Sequence, residues 1–430
     1  MEIDNAKDLL DFIYKSPTAF HVINNVEKIL LSQGFKELRE HEKWELQREG
    51  KYFIKKNNSA FIAFVIGKEK IIDNGFKIIG AHTDFPSFKV KPYAEILNGD
   101  KYLRLNTEVY GGPILNTWMD RPLSIAGRIV LEGENPLKPK EKIININKPL
   151  FIIPNLAIHM NKNVNKGIEL NPQKDLLPLM TVEGEDLKEG ILEEIIKKEL
   201  NLDDKKILSY ELSLYEFDKG ILMGLNNEFI SSSRLDNLAM VHAGLRAIVN
   251  SKVSKGTNVL VCFDNEEVGS STKQGADSPL LSNVLERIME KEEKGREAYF
   301  RALSKSFLIS ADLAHAVHPS APEKADPVNK PMINKGPVIK VSERQSYTSD
   351  GISSAVYKQI CKKANIPYQI FTNRSDERGG STIGPISSRH LNINSVDVGS
   401  AVLAMHSIRE FGGVRDHYYI IKSFEEFYNL

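Results

Sequence analysis

Cysteine is nearly absent: Cys262 and Cys361 are the only two in 430 residues. A disulfide framework and a cysteine-rich zinc module are excluded as sources of stability, and both thiols read as reduced and structural. Charge of one sign is also lacking. Lys plus Arg and Asp plus Glu each number 57, so the net charge is zero. A neutral chain has no global attraction to nucleic acid or to an anionic membrane, and neither partner is expected. No window approaches the ~18 uninterrupted apolar residues of a membrane-spanning helix. The first residues, MEIDNAKDLLDFIY, carry acids where a secretory leader carries bases. The expectation is a cytoplasmic protein free in solution.

Missing motifs narrow the chemistry further. His41-Glu42 has no second histidine at position 45, which removes the zincin helix. There is no GxSxG elbow for a serine hydrolase. There is also no P-loop or GxGxxG for a nucleotide, no internal repeat and no low-complexity tract.

What is present is an apolar content of 41%, enough for a sizeable core, and a length that suggests two domains. Residues 4–15 and 18–34 show helical spacing, with Ser16-Pro17 as the break between them. KYFIKK and SAFIAFVIG predict a strand pair joined at Asn57-Asn58. FKIIGAHTDFPSFKVKP reads as an apolar strand entering a polar loop. From about 92 to 231 the pattern changes to short strands and turns (KYLRLNTEVYGG, SIAGRIVLEG, KIININKPLFIIP, ILSYELSLYEF), with helical spacing at LKEGILEEIIKKEL. From Ser232 strands and helices alternate. LDNLAMVHAGLRAIVNS, SPLLSNVLERIMEKEE and GISSAVYKQICKKANI predict helices. TNVLVCFDNEEV and KSFLISADLAHA predict strands that run into loops, and IPYQIFTN predicts a strand. NSVDVGSAVLAMHSIREF predicts a strand followed by a helix. The expected fold class is α/β: a mixed, mostly parallel sheet sandwiched by helices over 1–91 and 232–430, interrupted by an inserted β-rich domain over 92–231.

The acids and histidines just past the apolar strands form a set. His82 and Asp84 follow KIIGA, and Asp236 follows the serines 231–233. Glu266 and Glu267 follow VLVCF, Asp312 follows FLIS, and His406 follows VDVGS. Parallel strands share a carboxyl edge, so residues far apart in sequence can converge there. Two histidines with several carboxylates and no cysteine suit zinc, or else manganese or cobalt. Two ions sharing one bridging carboxylate would use His82, Asp236, Glu267, Asp312 and His406. Glu266 is then left over. Neighbouring side chains of an extended segment point to opposite sides, so one of the paired glutamates can ligate while the other acts as a general base. Asp84 can hold the other imidazole nitrogen of His82. Rival readings are a dizinc amidohydrolase acting on N-acyl amino acids, and a non-catalytic assembly or binding protein that keeps the fold. A lone helix cap at Asp236, an ordinary helix histidine at His406 and a solvated Glu-Glu loop are the plain alternatives at each position.

IGAHTDFPSFKVKP, SSSRLDNLAMV, CFDNEEVGS, SADLAHAVHP, KGPVIKV, GSTIGPISSR and LAMHSIRE resemble, in order, the motifs of the aspartyl aminopeptidase family of dizinc metallopeptidases. The resemblance spans nearly the whole chain. It implies that His82 and Asp312 hold one zinc, Glu267 and His406 the other, and that Asp236 bridges them. It makes Glu266 the general base acting on the water between the two metals, and Asp84 the partner of His82. It implies two divalent ions per subunit, peptide substrates with a preference for an acidic N-terminal residue, and an inserted domain that drives homo-oligomerisation, often to a dodecamer. His159, in IPNLAIHMNKN, matches a histidine that reaches a neighbouring subunit's site. Lys340 and Tyr347 match residues of the substrate pocket. His315 and His318 are family-like but are not assigned as ligands. SDERGGSTIGP departs from the pattern of the animal enzymes, with Arg374 and Arg378 adding positive charge.

Overall fold

The computed structural model describes residues 1–98, 102–182, 190–202, 206–292 and 295–430. Contacts divide the chain into two units: 1–84 with 220–405 and 410–430, and 85–219 with 406–409.

The first unit is built on a nine-stranded sheet. In spatial order its strands are Lys36–Glu37, Lys51–Lys56, Ala60–Val65, Thr257–Phe263, Phe76–His82, Phe307–Ala311, Asn394–Gly399, Val338–Lys340 and Gln369–Phe371. The central strands run parallel, from Thr257–Phe263 across Phe76–His82 and Phe307–Ala311 to Asn394–Gly399. Antiparallel pairs flank them. Ala60–Val65 and Thr257–Phe263 are buried at every position, as continuous apolar strands covered on both faces must be. Asn57 and Asn58, at φ 55° and 52°, turn the expected hairpin in the left-handed region that asparagine tolerates. One face packs Ile62, Phe64, Ile78 and Val261 against Leu281, Leu285, Ile288 and Ala302 of the helices Leu280–Glu292 and Arg296–Ser304. The other face carries the helix Leu235–Asn250, flanked by Glu2–Tyr14 and Val414–Asn429.

A five-stranded sheet completes this unit: Ile221–Met223, Phe229–Ser232, Glu410–Gly413, Ala401–Leu403 and Ala314–His315. It corrects one expectation. The helix expected after VDVGS is absent; Ala401–Leu403 and Glu410–Gly413 pair antiparallel instead, and the helix begins only at Val414. Ala404 and His406 take φ 53° and 66°, which no right-handed helix contains.

The second unit holds a six-stranded antiparallel sheet in the order Lys138–Asn145, Leu123–Asn135, Ile207–Glu216, Ser87–Asn98, Tyr102–Tyr110, Leu179–Val182. Its core gathers Phe88, Trp118, Ile125, Leu212 and Leu214, with Leu192 and Ile196 of the helix Ile191–Leu200. The boundaries differ from the expected 92–231. SFKVKP is a strand of this sheet rather than a loop, and the strands at 221–232 join the first unit's smaller sheet. Residues 101, 187–189 and 293 of the expected elements lie outside the described residues. Among the described residues no helix is long and apolar enough to cross a membrane. Cys262 and Cys361 are free and buried.

Candidate metal centre

His82 ends the Phe76–His82 strand and is 1% exposed. Its Nδ1 lies 3.3 Å from Asp84 Oδ1 and 3.1 Å from the Asp84 carbonyl. Its Nε2 faces Asp236 Oδ1 at 3.6 Å, Asp312 Oδ1 at 3.7 Å and Glu266 Oε2 at 4.0 Å. These separations are too long for hydrogen bonds. They are close to the ~3.4 Å between neighbouring ligands of a tetrahedral ion with 2.0–2.2 Å bonds. His82, Asp236 and Asp312 form one candidate ligand group; His82, Glu266 and Glu267 form another. Burial opposes charge on the His82 ring, yet Asp312 and Asp84 outweigh it and hold the imidazole's pKa well above its ordinary value. A proton there partly offsets a surplus of buried negative charge, which is the deficit a divalent cation fills. The donor set therefore fits zinc.

The paired glutamates are not in an extended segment. Glu266–Val268 form a single 3-10 turn, with Asn265 in the left-handed region before it. Successive side chains on such a turn diverge by about 120° rather than opposing each other. The two side chains thus leave the backbone in different directions, yet both offer a carboxylate oxygen to one candidate ligand group with His82. Asp84 fixes the turn: its Oδ1 accepts the Glu266 N–H and its Oδ2 the Glu267 N–H, each at 3.1 Å. One buried carboxylate therefore sets both the His82 ring and the backbone carrying Glu266 and Glu267. Burial is the main cause that raises the Glu266 pKa above the usual carboxylate range; His82 opposes it, and Asp312, Asp84 and Asp236 reinforce it.

Asp236 is not a helix cap. The N-cap of Leu235–Asn250 is Arg234, and Asp236 and Asn237 depart from helical dihedrals within the helix. This irregular start turns the Asp236 carboxylate toward His82. The Asp236 N–H donates to Glu410 Oε2 at 2.9 Å, and the Asn237 side chain donates to the Ala311 carbonyl at 2.9 Å. Glu410 had no sequence signal: an acid on a short strand 174 positions away acquires meaning only when folding brings it to Asp236.

Asp312 follows the Phe307–Ala311 strand. Its Oδ1 faces His82, and its Oδ2 lies 3.3 Å from Lys340 Nζ. Burial would raise its pKa, but the charges of Lys340 and of His82 hold it well below the carboxylate range. Lys340 is 2% exposed. It also donates to the Leu313 carbonyl at 3.0 Å and sits 5.2 Å from the centre of the Tyr347 ring.

The other expected residues are carried by other segments. His406 lies in the loop between Ala401–Leu403 and Glu410–Gly413, within the second unit, with Nδ1 3.1 Å from the Gly112 carbonyl. His159 occupies an exposed turn of that unit. His315 is exposed and packs edge-on against Phe371, and His318 accepts the Ser320 N–H in an exposed turn. Arg374 spends its charge on Asp376, through bonds of 2.8 and 2.6 Å, so SDERGG is less basic than its sequence implies.

The family model for aminopeptidase I zinc metalloproteases (M18) matches residues 12–428. A probable M18 family aminopeptidase 2 of Clostridium novyi (strain NT) is 60% identical over 430 residues, covering 100% of this chain and 99% of the relative. A chain in the cryo-EM structure of the Ape4 and Nbr1 complex is 35% identical with a TM-score of 0.95, covering 99% of this chain and 86% of that one. A chain in the structure of the S. cerevesiae mApe1 dodecamer is 26% identical with a TM-score of 0.83, covering 98% of this chain and 95% of that one.

Proposed function

From its place in the aminopeptidase I zinc metalloprotease (M18) family, to which the chain belongs, we propose a dizinc aminopeptidase that removes acidic N-terminal residues from peptides. His82 and Asp312 would hold one ion and Glu267 and His406 the other, with Asp236 shared between the two. When bound, the ions polarise the scissile carbonyl and lower the pKa of the attacking water. Glu266 takes the proton from that water and returns it to the leaving amine. Its raised pKa suits a group that must accept and then release a proton near neutral pH. Asp84 keeps the His82 ring and the Glu266 backbone in register, so base and ligand stay aligned through turnover.

The observation that carries this reading is the convergence on His82 Nε2 of three carboxylates at non-bonding distances of 3.6–4.0 Å. Lys340 and Tyr347 form the substrate side of the pocket beside Asp312, where the lysine's charge favours an acidic side chain. The second unit exposes Ile152, Leu156, Ile158 and Met160 near His159. That apolar stretch is the proposed contact through which subunits assemble into a homo-oligomer, a dodecamer in the proposal, with His159 serving a neighbouring site and steadying the oxyanion. Two buried free thiols suit a reducing compartment, and the cytoplasm is the proposed location.

The test is a panel of peptides with Asp, Glu, Ala and Leu at the N-terminus, and N-acyl amino acids as controls, with zinc, manganese or cobalt added to stripped enzyme. Faster release of Asp and Glu supports the proposal. Equal rates on all four peptides reject the acidic preference, and turnover of the N-acyl controls alone rejects the peptidase chemistry. Metal analysis per subunit gives the ion count, and light scattering gives the assembly size.

A further inference from the structure

Near the Lys340 side of the site lies a buried acid with no part in the proposed chemistry. Asp397, in the Asn394–Gly399 strand, has no exposed surface. It stands in register with Ser310 on one neighbouring strand and Lys340 on the other. Its Oδ2 accepts the Thr348 N–H at 2.6 Å, and its Oδ1 accepts the Thr382 hydroxyl at 2.8 Å. Its own N–H donates to the Ser349 hydroxyl at 2.9 Å.

These bonds join two loops. Thr348 and Ser349 belong to the segment after Val338–Lys340. Thr382 ends the Gly-Gly-Ser-Thr stretch after Gln369–Phe371 and caps the helix Ile383–Leu391 by accepting the Gly384 N–H. Thr348 adds a hydroxyl contact of 3.2 Å to Ser388 of that helix. The residue before Thr348 is Tyr347, whose ring lies beside Lys340 and edge-on to Phe371 at 6.2 Å. Hence the Asp397–Thr348 bond fixes where the Tyr347 ring stands.

Gly384 supplies an independent sign that this carboxylate needs its place. A Cβ there would stand 2.6 Å from Asp397 Oδ2. Glycine costs a helix about 1 kcal/mol relative to alanine. Its backbone here needs no left-handed freedom, so the room it leaves for Asp397 is the physical reason for its presence. A carboxylate removed from water is otherwise costly unless its lone pairs are met, and here they are met by two different loops.

We propose that Asp397 is a positioning residue for substrate selection, clamping the Tyr347 loop to the Gly379–Thr382 loop so that together they form the wall against the substrate's N-terminal side chain. The proposal rests on the peptidase reading and on Tyr347 facing the substrate. The experiment measures kcat, KM and bound metal for zinc-loaded wild type, D397N, G384A and T382V, with T382S as the conservative control, on Asp- and Ala-initiated peptides. Wild-type turnover reads out the peptidase assignment, and the variant-to-wild-type ratios read out this one. Expected is a rise in KM of roughly tenfold on the Asp peptide for D397N, with kcat and metal content within about twofold. G384A, which leaves Asp397 intact but displaces its Oδ2, moves KM in the same direction, T382V follows, and T382S stays at the wild-type value. The proposal is overturned if KM is unchanged in D397N and G384A, or if kcat and metal content fall as KM rises, which would mark a general structural support.

Discussion

Two buried histidine clusters of the first unit differ in how they meet their own needs. His242 has both ring nitrogens in hydrogen bonds of 2.9 Å, to Asp8 and to His417, and Arg246 closes the network with two bonds of 2.6 Å to Asp8. These side chains tie together the helices Glu2–Tyr14, Leu235–Asn250 and Val414–Asn429. At His82 one nitrogen is held by Asp84, while the other faces carboxylates 3.6–4.0 Å away. In the first cluster both ring nitrogens of His242 are met at hydrogen-bond distance, and only Nδ1 of its partner His417 is left over; at His82 the second nitrogen is spaced for a shared guest. Chemistry is therefore distinguished from structure by geometry, because both clusters pair buried histidine rings with carboxylates.

The sharpest way to break the contrast is to remove the guest. Stripping the metal with a chelator should take peptide hydrolysis to background and leave the far-UV circular dichroism unchanged, with zinc restoring the rate. A bound ion at 1,000 times its Kd also contributes about 4 kcal/mol of stability, so the thermal transition should fall on stripping and recover on reloading. Retained activity in a verified metal-free sample would place the chemistry elsewhere.

Next in size is Glu266→Gln. Loss of a general base lowers kcat by about 10²–10⁴-fold. Bound metal should stay at the wild-type level, because the amide removes a proton acceptor and leaves Glu267, Asp236 and Asp312 untouched. Loss of metal with substantial remaining turnover would reverse the roles of Glu266 and Glu267.

His242→Ala examines the hydrogen-bonded cluster. It leaves buried His417 Nε2 without a partner, while Asp8 keeps Arg246, at a cost of about 1–3 kcal/mol. The urea midpoint should drop accordingly, while kcat/KM of the folded, zinc-loaded enzyme stays near wild type. A large loss of kcat with unchanged stability would show that this network serves the reaction.

How far the sequence reached follows from where each residue's neighbours lie. His82, Asp312 and the Glu266-Glu267 pair were legible because an apolar strand followed at once by acids or histidine is a local signal, and parallel strands align their ends. Asp236 was legible in position but not in posture, since its irregular backbone is set by Glu410 and Ala311, far away in sequence. His406 was misplaced on a helix because AVLAMHSIRE has apolar residues at helical spacing; the hairpin that forms instead is decided by pairing with Phe229–Ser232. The burial of Lys340 was not legible, because a three-residue strand gives no sign of its neighbours on both sides. The second unit was visible as a change of pattern. Its limits were not, because SFKVKP reads equally well as loop or strand, and the tie to 406–409 is non-local.

The smallest expected effect is also the one that separates the two clusters by sign. Burial lowers the pKa values of His242 and His417, and burial with the charges of Arg234 and Lys28 lowers that of His21 from 6.5 to about 4. Unfolded, these rings take up protons below pH 6.5; folded, they resist. The unfolded state then binds more protons, so stability falls as pH drops from 6.5 toward 4. His82 in the metal-free protein behaves oppositely. Its pKa is raised, so the folded state holds the extra proton, and its contribution is complete below pH 6.5 and fades as pH rises above it. Glu266, raised to about 7, has the same sign, its contribution fading between pH 4.5 and 7. Metal-free enzyme should therefore lose stability as pH rises above 6.5, read from urea midpoints across the pH range. In the proposed site zinc replaces the proton at His82, so loading should abolish the decline on the alkaline side and leave the acid-side decline of the buried structural histidines in place. An alkaline limb that persists in the loaded enzyme would mean that the proton on His82 is not standing in for the ion.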